Sequence, residues 1–155
     1  MQTFEYQILR FMPDRVKGEF LNLGLVIYNV ENAVFDFKLN TKSNRINVVF
    51  SESNGRFIRN VLHNIQSNLD NLRDSRTDKL NMVPIKSLDN LTRMILPKDD
   101  SALYFTESEK TLDVNIESAI AYLFQRLVSV NHKVEEKANL QDKQVWSKEI
   151  ASHKN

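Results

Sequence analysis

Residues 10–29 read RFMPDRVKGEFLNLGLVIYN, and the way this stretch folds back on itself decides the fold. Pro13 and Asp14 break the strand that precedes them, because proline lacks an amide donor and aspartate favours tight turns. Gly18 supplies the positive φ that the return of the chain requires. After Glu19 comes the longest nearly unbroken apolar run, with Leu21, Leu23, Leu25 and Ile27 on one side and Phe20, Asn22, Gly24, Val26 and Tyr28 on the other. A strand apolar on both sides lies inside its sheet, covered above and below.

The flanks of this stretch extend the pattern. Upstream, Phe4, Tyr6 and Ile8 alternate with Glu5 and Gln7, the period of a half-buried strand. Downstream, Val30-Glu31-Asn32 makes a turn, and Phe35, Phe37 and Leu39 alternate with Asp36 and Lys38. Three consecutive antiparallel strands follow, with a fourth expected over Ala102–Thr106 and a loop over 107–110. Helical spacing marks Ile46, Val49 and Phe50, then a long helix from about Ser53 whose stripe is Phe57, Ile58, Val61, Leu62, Ile65, Leu69 and Leu72. Ser87 caps a short helix holding Leu88, Leu91 and Ile95 and ended by Pro97. Asp113 or Asn115 starts another, with Ile116, Ala119, Ile120, Leu123, Phe124 and Leu127 on its buried face, ending near Asn131. The expected class is α+β: an antiparallel sheet of about four strands with helices packed on it, one domain over 1–130, and a polar tail or helix over 131–155.

Composition narrows function by exclusion. Lys+Arg 21 against Asp+Glu 20 leaves a formal charge of +1, no overall field for nucleic acid or an anionic membrane. A basic cluster of Lys42, Arg45, Arg56 and Arg59 is the weakest of the functional candidates. The absence of cysteine removes disulfides, thiolate metal sites and a cysteine nucleophile, and fits a cytoplasmic chain. No apolar run is long enough for a membrane helix and the N-terminus lacks a secretory signal pattern. His63, His132 and His153 share no ligand spacing, and with Gly 3 there is no phosphate-binding glycine loop. No cofactor or metal is expected.

Two constellations carry candidate chemistry. Asp14 after Pro13, followed by Asp36 and Lys38, matches the Pro-Asp…(Asp/Glu)-x-Lys spacing of Mg²⁺-dependent nucleases, with Glu19 as a further ligand. A solvated strand face with an ordinary ion pair explains Asp36 and Lys38 as well, and is preferred. The second set is Arg10, Glu19, Asn22 and Gly24. Arg10 falls in phase with Phe4, Tyr6 and Ile8, where an unpaired charge costs several kcal/mol, so a bidentate pair with Glu19 across the hairpin is expected. Asn22 beside Gly24 indicates close approach by another backbone or by a ligand. In the tail, Trp146 with Val145 and Ile150 forms a small amphipathic anchor for a partner, or part of a solvated end.

The run YQILRFMPD over 6–14 and GEFLNLGLVIY over 18–28 resembles the opening signature of the bacterial domain of unknown function 3037. The SALYF segment at 101–105 and the helix through Leu123 and Phe124 are similar to its closing part, so the resemblance spans Phe4 to Val130. It implies no activity. What it implies is a protein partner, a HipA-like kinase, in a two-gene module of the toxin–antitoxin or phage-defence kind. The expected function is therefore a non-enzymatic protein-binding partner, a homo-oligomer being compatible, with the Mg²⁺-dependent nuclease as the alternative.

Overall fold

A computed structural model describes residues 1–41, 52–75, 85–97, 99 and 101–129. The elements are β1 (Gln2–Phe11), β2 (Leu21–Asn29), β3 (Val34–Leu39), α1 (Glu52–Ser75), α2 (Leu88–Ile95), β4 (Leu103–Phe105), β5 (Glu109–Asp113) and α3 (Ile116–Phe124), which runs on as a π-helical turn, Gln125–Ser129. The helical pattern at Ile46, Val49 and Phe50 and the tail over 131–155 lie outside the described residues.

The sheet is antiparallel throughout, in the order β3-β2-β1-β4, with β5 continuing along the same side of β1. The α+β expectation holds, with five strands among the described residues. The extra one is β5, which begins inside the stretch expected as loop. β4 and β5 act as one interrupted edge strand: Leu103–Phe105 pairs with Leu9–Phe11, and Glu109–Asp113 with Gln2–Tyr6. At the interruption Thr106 donates its N–H to the Ile8 carbonyl, and its hydroxyl accepts the Ile8 N–H at 2.9 Å, so no ladder group of Ile8 is orphaned.

Every residue of β2 is buried, as an interior strand requires. Its faces are not the ones simple alternation assigns, because the pairing with β1 shifts by one residue between Leu9 and Arg10. Leu9 faces Gly24 while Arg10 faces Asn22, which leaves Leu23 as the extra residue of a β-bulge. The shift reverses the phase of the strand. Leu21, Leu23, Val26 and Tyr28 join one core with Ile58, Leu62, Ile65 and Leu69 of α1 and Leu88 and Leu91 of α2. Leu25 and Ile27 turn to the other side and meet Phe4, Ile8, Ala119 and Leu123. Helices thus cover both faces, and β1 is buried on both as well, with Gln7 only 2% exposed.

Gln7 is satisfied by α2: it donates to Asp89 Oδ1 at 3.3 Å and accepts from the Thr92 hydroxyl at 2.5 Å. Ser87 and Asn115 cap α2 and α3 with their side-chain oxygens, as their positions predict. The stripe of α1 is narrower than expected. Phe57 is 65% exposed because the buried row runs Ile58, Leu62, Ile65, Leu69 and Phe57 falls on its flank.

Gly24 marks a close approach, and the approaching chain is β3. A Cβ at this position would lie 2.9 Å from both the Leu39 Cα and the Lys38 carbonyl oxygen, neither of which a side-chain rotation can clear. Gly24→Ala is expected to destabilise the protein by about 1–3 kcal/mol, read from the urea midpoint; an unchanged midpoint would mean that β2 and β3 are not in this contact.

Candidate functional site

The hairpin charges are arranged differently from the pair expected between Arg10 and Glu19. Glu19 is exposed in the turn. Arg10 donates its Nε–H to Asn22 Oδ1 at 2.9 Å, and its guanidinium stacks 4.1 Å from the centre of the Phe20 ring. Glu19 lies beyond the paired end of β2, and the bulge brings Asn22 opposite Arg10, where unbroken pairing would have put Leu23. Asn22, 6% exposed, donates to the Leu127 carbonyl at 2.9 Å, so one buried amide ties β1 and β2 to the π-helical turn after α3.

The nuclease spacing is not gathered into a site. Asp14 caps its own turn, accepting the N–H groups of Val16 at 2.9 Å and Lys17 at 3.3 Å, while Gly18, at φ 74°, closes the turn onto the Asp14 carbonyl at 3.0 Å. Asp36 lies opposite Ile27, about 20 Å along β2 from the Leu21 end of the sheet where Asp14 sits, at roughly 3.3 Å per residue. Its Oδ1 accepts the Phe37 N–H at 2.8 Å and the Arg73 guanidinium at 2.7 Å, and Arg73 stacks on the Phe37 ring at 4.7 Å. This arrangement caps the Phe37 amide of β3, the outer strand of the sheet among the described residues, where an open backbone invites pairing with another chain. Lys38 sits 4.5 Å from the centre of the Phe124 ring. Among the described residues no three carboxylates or histidines are placed to hold a metal ion. Val145, Trp146 and Ile150 lie outside the described residues.

What the sheet does build is a cleft of about 760 Å³ on the α3 side, where β1 meets β4 and β5 beyond the cover of α3. Its inner wall is Tyr6, Ile8 and Arg10 of β1, Tyr104 of β4, and Leu127. Arg15, Asp99, Glu107 and Glu109 are exposed and form the rim. Arg15 stacks over the Tyr104 ring at 5.7 Å. Hydrogen bonding from Ser101, first from its side chain and then from its N–H at 2.9 Å, holds the Asp99 carboxyl below the usual range. Burial raises the Tyr6 phenol above its ordinary value of 10.0, and the Glu109 carboxylate, its register partner, adds to the rise.

Only part of this was visible in the sequence. The sequence marks Arg10, in the apolar phase of β1, and Asn22, next to Gly24, and the structure joins the two by a hydrogen bond. Tyr6 carried the same signal, sharing the Arg10 face two positions apart on either side of Ile8. Tyr104 and the rim acids come from a segment some ninety residues on, whose register against β1 no local pattern specifies.

A family model described as a protein of unknown function, DUF3037, matches residues 6–128. The chain belongs to that family. No curated protein and no solved structure matches it. The DUF3037 match takes in β1 from Tyr6 onward, the hairpin, and β4, β5 and α3, so the inner wall of the cleft falls inside it. Among the described residues, no helix of this DUF3037 chain is long and apolar enough to cross a membrane.

Tyr6 keeps its proton in the folded state to a higher pH than in the unfolded chain. Its contribution to stability is present below pH 10.0 and is lost as pH rises from there through the raised folded value. Glu109→Gln is expected to bring the Tyr6 titration back toward 10.0, measured by ultraviolet difference titration against a Tyr6→Phe background, and Tyr6→Phe to flatten the alkaline loss of stability. A Tyr6 titration unmoved by Glu109→Gln would separate the two side chains.

Proposed function

We propose that this protein is a non-enzymatic binding module that takes a segment of a partner protein into the cleft between β1 and β4. The observation that carries this reading is the make-up of the inner wall: two tyrosines, Tyr6 and Tyr104, flank an arginine, Arg10, that is already oriented by Asn22 and Phe20. Tyrosine and arginine dominate binding hot spots because each joins a large contact area to a directional polar group at small entropic cost. A rim bearing charges of both signs favours a polypeptide over nucleic acid, which calls for a basic surface. The Asp36 cap on the Phe37 N–H, held by Arg73, disfavours strand pairing at that position of β3.

The partner class implied by the family resemblance is a HipA-like kinase, within a cytoplasmic two-gene module of the toxin–antitoxin or phage-defence kind. A photo-crosslinking residue at position 104 of the full chain tests the reading against such a kinase purified from the same cell. The expected result is one stoichiometric adduct, with affinity for the partner reduced at least about tenfold by Tyr104→Ala and the melting temperature nearly unchanged. Binding that is undiminished by Tyr104→Ala, with no adduct from position 104, would place any partner elsewhere.

A further inference from the structure

The cleft has a polarity that specifies its occupant. Arg10 is half-buried on the inner wall, and both its position and its plane are set before anything binds: Nε–H is committed to Asn22 Oδ1 at 2.9 Å, and the Phe20 ring supports the guanidinium at 4.1 Å. A guanidinium held by Nε presents its two Nη groups end-on, at a spacing that matches the two oxygens of a carboxylate. Among the described residues no carboxylate is in ion-pair distance of Arg10. Among the described residues the acids Asp99 and Glu109 stand on the exposed rim and outnumber the rim cation Arg15 around the inner one.

We propose, on the basis of the protein-binding reading above, that the occupant is a peptide segment with a carboxylate side chain at its centre and basic residues on either side. Arg10 takes the carboxylate end-on, and the acidic rim takes the flanking cations. The rings of Tyr6 and Tyr104 pack against the segment between these contacts. A phosphate group carries close to two negative charges at neutral pH and meets greater repulsion from the rim carboxylates of Asp99 and Glu109 than a carboxylate does, so the rim selects the singly charged anion.

Capped peptides of sequence KKYDYKK, with Asn or phosphoserine in place of the central Asp in two others, test this on the full chain by calorimetric titration, with the Arg10 Nε–H resonance followed by NMR. The Asp peptide is expected to bind about tenfold more tightly than the Asn peptide and more tightly than the phosphoserine peptide, and to shift the Arg10 Nε–H resonance. Arg10→Gln should erase the Asp-over-Asn preference, and Arg10→Lys, which keeps the charge without the fork, should retain only part of it. Melting curves confirm that each variant is folded. Equal binding of the Asp and Asn peptides, a preference for phosphoserine, or a preference surviving Arg10→Gln would each overturn the inference. If no peptide binds while a partner still crosslinks at position 104, the inference fails and the binding reading stands; if neither is seen, both fail.

Discussion

One buried amide holds the arrangement together. Asn22 accepts from the Arg10 guanidinium and donates to the Leu127 carbonyl, so β1, β2 and the turn after α3 meet at a single side chain. The bulge at Leu23 makes this possible by placing Asn22 opposite Arg10 and reversing the phase of the rest of β2. Because of that reversal, the two leucines before the bulge pack on α1 and α2, and Leu25 and Ile27 after it pack on α3. A strand without the bulge would send its leucines to one side and leave the other core short of apolar surface. Removing either hydrogen bond of Asn22 would leave a buried polar group unsatisfied, at about 1–3 kcal/mol.

The same interaction produces the cleft. α3 covers Phe4, Ile8, Leu25 and Ile27, and the π-helical turn carries the chain to Leu127, where its carbonyl meets Asn22 and its side chain reaches the inner wall. Beyond that point β1 is paired with β4 and β5, and among the described residues no helix lies over its outward residues Tyr6 and Arg10. Among the described residues Arg10 is thereby stabilised by Asn22 and Phe20 and has no carboxylate in ion-pair distance. Residues that share the Pro-Asp…Asp-x-Lys spacing serve the scaffold: Asp14 shapes the hairpin turn, and Asp36, held by Arg73, caps the Phe37 amide of β3.

Local patterns in the sequence were sufficient for most of the elements and insufficient for their phase. Alternation identified β1, β2 and β3, the positive φ of Gly18 followed from the turn, and capping chemistry gave the helix start at Ser87 and narrowed the next to Asp113 or Asn115, of which Asn115 is the cap. β5 was missed because Glu109-Lys110-Thr111-Leu112-Asp113 is an edge segment with almost no buried side chain, so burial left little alternation to read. The bulge was missed because Asn22, Leu23 and Gly24 fit an uninterrupted strand equally well until the pairing with β1 is known. That shift put Asn22 opposite Arg10 in place of Leu23, while the expected partner Glu19 lies before β2, beyond the last pair Phe11–Leu21. Of the cleft, the sequence revealed the residues with a local anomaly, Arg10 and Asn22, and hid those whose role depends on distant register, Tyr104 and Glu109.

The most direct test of this account is hydrogen exchange at the Arg10 side chain, followed by NMR in the full chain and in Asn22→Ala. The Arg10 Nε–H is predicted to exchange far more slowly than that of the exposed Arg56, and to lose this protection when the Asn22 amide is removed. An Arg10 Nε–H that exchanges as fast as that of Arg56 in the unaltered protein would contradict it.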